Sequence, residues 1–257
     1  MSTPAPILRR FNNIVYQYAS VTSTNDVARE LAESGAGEGT TVVAEEQTTG
    51  RGRLGRTWLS PKGEGLYHSI ILRPDILPSN APVLGLVVAV ALAEFVRERY
   101  QLATDIKWPN DVLIRDRKVA GILAEAETSP NGIRYIMAGI GINLNQTSFP
   151  PEVAAQATSI KLETGQTSDP DEVRQKLYVK LDAWYDRFLG QGAAEVIRRW
   201  SELSSYAEGK AVKVITGDRT ISGITRGLTP TGALIVEPPT GEWEAILTGE
   251  VQRLRKE

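Results

Sequence analysis

The sequence contains no cysteine and a single histidine, His68. Without cysteine there is no disulfide framework, no thiolate metal site and no cysteine nucleophile. One histidine excludes a multi-histidine metal site within the chain, and any Ser-His-Asp arrangement would have to use His68. Charge of one sign is not in excess either: 29 Lys and Arg stand against 31 Asp and Glu, a formal net charge of -2. That balance argues against non-specific coating of nucleic acid, which calls for a dominant basic face. A long apolar run is also missing. The most apolar stretch, Val83 to Ala93, ends at Glu94 and falls short of the roughly 20 residues a membrane span requires, so a buried helix is expected there. Residues 1–20 mix polar and apolar side chains, with nothing like the apolar core of a secretion signal. The expectation is a cytoplasmic protein without membrane contact, whose chemistry falls to Arg, Lys, Asp and backbone donors. At 257 residues, 41% hydrophobic and 23% charged, the chain suits one large globular domain with a small appended one.

Local patterns divide the chain. Ser23-Thr24-Asn25-Asp26 reads as a helix start, with Ser23 and Asp26 at capping-box spacing. Val27, Ala28 and Leu31 follow on one face, and Gly35 and Gly37 end the helix. Thr40 to Ala44 and Leu66 to Leu72 read as strands, and about Pro82 to Arg99 as a helix. Asp105 to Trp108 enters a Pro109-Asn110-Asp111 turn. Val112 to Ile114 and Val119 to Ala126 form a predicted hairpin around a charged loop, and Ile133 to Asn143 a further strand that would serve as an edge. Asp169 caps a helix with Pro170 in its first turn and Val173, Leu177, Leu181, Trp184 and Phe188 at helical spacing. Ala193 to Leu203 is a second helix. Beyond Gly209 the texture becomes short strands, Lys210 to Ile215, Thr220 to Thr225, Ala233 to Val236, Glu242 to Leu247 and Val251 to Leu254. Turns at Gly217-Asp218, Pro230-Thr231-Gly232 and Pro238 to Gly241 separate them. This predicts a small SH3-like β-barrel, with domains at 1–207 and 208–257.

The segment Gly50-Arg51-Gly52-Arg53-Leu54-Gly55-Arg56 packs three glycines and three arginines into seven residues. Clustered guanidiniums repel unless something anionic sits among them, and each presents a fork suited to phosphate or carboxylate. Glycines let backbone approach a ligand and let the loop move. The plainer reading is a solvated basic loop. Gly50-x-x-x-x-Gly55-Arg56-Thr57 also stands one substitution from a phosphate-binding P-loop. That motif needs a helix next, and Trp58 to Gly65 is a poor one. Trp58 is either a core side chain or a platform for a nucleobase. Lys107-Trp108-Pro109-Asn110-Asp111 offers a cation, an amide and a carboxylate around a turn, which turn chemistry alone also explains. Lys118 is solvated or functional. Gly139 and Gly141, one side-chain period apart, clear one face of a strand for a ligand or another backbone.

Together these segments resemble the biotin protein ligases: Ser23-Thr24-Asn25, Gln47, Gly50 to Arg56 with Trp58, Lys107 to Asp111, Lys118-x-Ala120-Gly121-Ile122-Leu123 and Gly139 to Asn143, in order and with spacing intact across about residues 20–145. The resemblance implies an α+β fold, a mixed central sheet flanked by helices of the class II aminoacyl-tRNA synthetase and biotin ligase kind, followed by the SH3-like unit. It implies a two-step reaction: biotin and MgATP give biotinyl-5′-adenylate and pyrophosphate, and the adenylate acylates a lysine of a biotin carboxyl carrier domain. Carried over residue by residue, it implies biotin contacts at Ser23, Thr24, Asn25, Gln47, Arg51, Gly52, Arg53, Lys118, Gly139 and Gly141. ATP or adenylate contacts fall to Arg51, Arg53, Arg56, Trp58, Asn110, Lys118 and Asn143. Catalysis falls to Lys118, Arg51, Arg53 and Asp111, with Asp111 the one candidate ligand for Mg2+. About 20 residues precede Ser23, short of the DNA-binding domain that bifunctional members carry, so no DNA partner is expected; a homodimer is compatible with the family. The rivals are a non-catalytic biotin or biotinyl-adenylate binding module and a lipoate-ligase-like enzyme. An octanoyltransferase would need the missing cysteine.

Overall fold

The computed structural model describes residues 10–253 apart from 12 and 218. Residues 1–9 and 12 of the N-terminal stretch assessed above, Asp218 of one predicted turn and Leu254 at the end of the last predicted strand lie outside the described residues.

A seven-stranded sheet runs in the order β1-β2-β3-β7-β6-β5-β4, built from β1 (Val15–Tyr18), β2 (Thr41–Ala44), β3 (Gly65–Leu72), β4 (Asp105–Lys107), β5 (Asp111–Ile114), β6 (Arg117–Ser129) and β7 (Gly132–Asn143). β1 and β2 are parallel and the other ladders antiparallel, so the sheet is mixed. One expectation is corrected here. Residues 133–143 are not an edge: β7 hydrogen-bonds to β3 on one side and β6 on the other, and offers no free ladder to a second copy.

The helices are α1 (Thr24–Glu33), α2 (Ala81–Tyr100), α3 (Pro151–Ala154), α4 (Ile160–Thr164), α5 (Pro170–Gln191) and α6 (Ala193–Leu203). Strand parity assigns them to the two faces of the sheet, since successive side chains point to opposite sides. Leu66, Ile70, Ile136, Ala138, Ile140 and Ile142 pack into one core with α2, α5 and α6. Their odd-numbered neighbours Ile71, Tyr135 and Met137 pack with Ala28 and Ala32 of α1. α2 is apolar nearly all round because it lies against α5, α6 and the sheet at once. It is long and apolar enough by length and composition to cross a membrane, but 67% of that stretch is buried within the protein. The α5 start is as expected: Asp169 Oδ1 accepts a hydrogen bond from the Asp171 backbone N–H at 2.9 Å, and Val173, Leu177, Leu181, Trp184 and Phe188 are buried.

The α1 start is not as expected. Ser23 is the N-cap, with extended backbone, but its side chain accepts no capping bond, and the Asp26 carboxylate that would complete the box pairs with Arg29 and Arg51.

A second, antiparallel sheet, in the order β11-β10-β9-β8-β12, follows from β8 (Glu208–Thr216), β9 (Arg219–Leu228), β10 (Leu234–Glu237), β11 (Glu244–Ile246) and β12 (Glu250–Arg253). It joins the first unit through Trp108, whose Nε1–H donates to the Gly232 carbonyl at 3.0 Å, and through the arginine loop described next.

Candidate active site

The α1 face of the sheet has a floor without side chains. Gly121 and Gly141 pair across β6 and β7, and Gly139 pairs with Leu123 on one side and Ser69 on the other. The expectation that Gly139 and Gly141 clear a face is met, and what they admit is specific. A Cβ at Gly139 would collide with Asn25 Oδ1, one at Gly141 would collide with the Trp58 indole, and one at Gly121 would come within 3.0 Å of both Lys118 Nζ and Trp58. The cleared space is a small, half-open pocket of about 50 Å³ lined by Ser23, Thr24, Asn25, Gln47, Arg51, Gly52, Arg53, Trp58, Asn110, Lys118, the three glycines and the apolar Ile122, Leu123 and Ile140.

Its inner wall is a chain of polar side chains that satisfy one another, as buried polar groups must. Gln47 Oε1 accepts from the Thr24 N–H at 2.8 Å and from Thr24 Oγ1 at 3.1 Å, and Gln47 Nε2 donates to Ser60 Oγ at 2.8 Å. Ser69 Oγ lies 2.7 Å from Thr24 Oγ1 and 2.6 Å from Asn25 Oδ1. Asn25 Nδ2 donates to Glu125 Oε2 at 2.7 Å. Ser60, Ser69 and Glu125 do not line the pocket but hold Gln47 and Asn25 from behind, and the sequence reading missed them. Ser69 is a polar residue in the wholly buried β3, and that was the available signal; Glu125 sits among polar residues of β6 and gave none.

The outer part is cationic. Lys118 Nζ lies 2.6 Å from Asp111 Oδ1 and 5.0 Å from the centroid of the Trp58 ring. Trp58 is therefore neither a plain core residue nor a free platform: it lies on Gly141 beneath Lys118, its Nε1 buried without a hydrogen-bond partner. Burial pushes the pKa values of Arg53 and Lys107 down, while the Asp111 charge opposes the shift in both. Arg53, Lys107 and Lys118 gather around Asp111, with Glu250 the further carboxylate acting on Lys107, and cations held partly out of water in this way suit an anionic ligand. Asn110 and Asn143 are engaged by backbone: Asn110 Nδ2 donates to the Ile122 carbonyl at 2.7 Å, and Asn143 Nδ2 to the Thr158 carbonyl at 3.0 Å.

The loop at 50–56 is strung between the two sheets. Gly50 is held close to the Trp58 carbonyl, where a Cβ would not fit. Arg53–Gly55 form a single 3-10 turn, with Leu54 left-handed at φ 55°. Arg51 reaches Asp26 at 2.6 Å and Glu125 at 3.4 Å. Arg53 donates to Thr248 Oγ1 at 2.9 Å and Arg56 pairs with Glu250. Sequence reading assigned no role to the C-terminal strands, and these contacts had no local signal. No helix follows the loop, so the P-loop alternative is excluded. A larger groove of about 310 Å³ opens from this point, lined by Arg53, Arg56, Trp58, Lys107, Asp111, Lys118 and Asn143 on one side and Gly249, Glu250 and Val251 on the other. His68 takes no part. It faces the opposite side of the sheet, edge-on to Tyr178 at 5.4 Å, with both nitrogens buried and unpaired.

A small pocket with a polar wall that continues into a cationic groove, on a mixed sheet followed by an all-β unit, is an architecture with known relatives. Residues 18–143 match the biotin/lipoate A/B protein ligase family, and residues 209–254 match the biotin protein ligase C-terminal domain. The chain belongs to the biotin protein ligase family. It is 35% identical over 228 residues to the biotin–[acetyl-CoA-carboxylase] ligase of Paracoccus denitrificans, covering 87% of this chain and 94% of that one. It is 37% identical over 231 residues to a bifunctional ligase/repressor of Bacillus spizizenii, covering 89% of this chain and 70% of that one. Its fold superposes on the biotin protein ligase of Aquifex aeolicus in complex with biotin and ATP with a TM-score of 0.81 at 33% identity, covering 95% of this chain and all of that one.

Proposed function

We propose that this protein activates biotin with ATP and transfers it to a lysine of a biotin carboxyl carrier domain, in the cytoplasm. The observation that carries the reading is the joining of two compartments at one point: the pocket with the polar wall meets the cationic groove where Lys118, Asp111 and Trp58 come together.

Thr24, Asn25 and Gln47 line the pocket deeply enough to receive the polar ring of biotin, leaving its carboxylate towards Arg53 and Lys118. The groove takes the nucleotide, with Trp58 beside the base and Arg53, Arg56 and Lys107 near the phosphates. A biotin carboxylate oxygen attacks the α-phosphorus, the bond to the β-phosphate breaks, and pyrophosphate leaves. Both reactants are anionic, so Lys118 and the loop arginines offset their repulsion and stabilise charge that grows in the transition state. The lysine amine of the carrier then attacks the acyl carbon, AMP leaves, and the amine loses a proton, for which Asp111 is the nearest carboxylate to Lys118. The mixed anhydride is water-sensitive, and a loop folded over it retains it.

Among the described residues no group of three or more His, Cys, Asp or Glu comes together to cage a metal. That fits Mg2+, which is commonly held by one or two carboxylates plus substrate phosphates; Asp111 would be its protein ligand, and the ion would neutralise phosphate charge.

The test is direct. The full chain mixed with MgATP, labelled biotin and a carrier domain should place label on the carrier only when ATP is present. No label, or label without ATP, contradicts the proposal. A non-catalytic biotin-binding module would bind the label without passing it on.

A further inference from the structure

Arg51 is the loop arginine that differs in its surroundings. Arg53 and Arg56 reach towards the C-terminal strands, whereas Arg51 is held by two carboxylates of the catalytic unit, Asp26 on α1 at 2.6 Å and Glu125 on β6 at 3.4 Å. Arg29 completes a quartet, 3.0 Å from Asp26 and 3.3 Å from Glu125. Its charges balance, two carboxylates against two guanidiniums, and only Arg51 belongs to the loop.

We infer that Glu125 is a positioning residue: with Asp26 it seats Arg51 at the root of the loop, and through the same carboxylate oxygen it ties that seat to the Asn25 amide in the polar pocket. The chemistry of a carboxylate is what makes the tie. Glu125 Oε2 is an acceptor only, so it fixes the Asn25 side chain with Nδ2 towards Glu125 and Oδ1 towards Ser69. It meets Arg51 at the same time, in a partly exposed pair of the kind that contributes about 1 kcal/mol or less. That strength holds a loop root without locking it. The outer residues 53–56 remain free to exchange their C-terminal partners for an anionic ligand, while the hinge stays on the pocket wall. A ligand that shifts Asn25 therefore acts on the loop through one shared oxygen. No such role follows for Asp26, which touches Arg51 and Arg29 but not Asn25.

Limited trypsin digestion of the ligand-free full chain reads the seat independently of any activity, because trypsin cuts after Arg51, Arg53 and Arg56. Glu125→Gln keeps an oxygen for Asn25 but removes the charge facing Arg51. Cleavage within 50–56 is expected to become about fivefold faster in E125Q, and to rise likewise in D26N. Cleavage at the Arg115–Lys118 hairpin, which pairs with Glu163 instead, should not change. An unchanged rate within 50–56, or an equal rise at both places, overturns the inference. A second measurement rests on the ligase reading. Biotinyl-adenylate should leave E125Q about fivefold faster than the native chain, and leave the R51A/E125Q pair no faster than R51A alone. Effects that multiply in the double variant would overturn the coupling. A native chain that forms no adenylate would defeat the ligase reading, while the digestion would still decide the seat.

Discussion

Lys118 Nζ lies 2.6 Å from Asp111 Oδ1 although the two residues are not opposite each other in the sheet. The ladder pairs Asp111 with Gly121 and Leu113 with Lys118. The lysine side chain lies along its own strand over Gly121, which has nothing to block it, and so reaches the carboxylate that Gly121 faces. Glycine on one strand thus sets the position of the Lys118 ammonium on the site face.

Lys118→Ala should slow adenylate formation by about 10²- to 10³-fold, the usual scale for removing one pre-positioned charge donor, with the melting temperature nearly unchanged. Pyrophosphate release in a single turnover measures it. Release at the native rate would remove Lys118 from the chemistry.

Adding one methyl group to the glycine floor should separate the two compartments. Gly139→Ala drives a Cβ into Asn25, and Gly141→Ala drives one into Trp58. Biotin affinity should fall more in G139A and nucleotide affinity more in G141A, each by tenfold or so, since about 1.4 kcal/mol of steric cost is a factor of ten. Calorimetric titration of each ligand into each variant checks the pattern, and equal losses of both ligands in both variants would contradict it.

His68 makes folding stability depend on pH. Burial pushes its pKa down to about 3, with the Arg174 charge adding to the effect, against about 6.5 in the unfolded chain. The unfolded state therefore binds one more proton between those values. The stability that neutral His68 allows is full above pH 6.5 and is lost as pH falls towards 3, by up to about 1.4 kcal/mol per unit. Urea unfolding of the native chain and His68→Phe between pH 4 and 6, a window inside that range, should show a shallower slope in the variant. Parallel curves would assign the acid sensitivity elsewhere.

What could be read from the residues alone was what is local. Asp169-Pro170 and the 3.6-residue spacing behind it define α5 without reference to any other segment. The arginine loop and the glycines at 139 and 141 stand out by composition, while Lys118 is singled out by the family resemblance and not by its surroundings in the sequence. What escaped depends on partners far along the chain. β1 is four residues with two exposed side chains, too short and too polar to stand out. The capping box at Ser23 and Asp26 was sound by spacing, but Arg51, 25 residues on, takes the carboxylate. Ser69 and Glu125 join the site only because β3, β7 and β6 lie side by side in a register that puts their odd-numbered residues on one face. That same pairing placed residues 133–143 at the centre of the sheet, where sequence alone suggested an edge. Thr248 and Glu250 meet the loop only because the second sheet folds back onto it.

The lifetime of the intermediate tests the central claim, that a cationic loop closes over an activated acyl nucleotide, more directly than turnover does. Biotinyl-adenylate formed in place and chased with unlabelled biotin and ATP should escape from Arg53→Ala at least tenfold faster than from the native chain, with weaker biotin binding alongside. An escape rate equal to that of the native chain, in a variant that still forms the intermediate, would contradict the account.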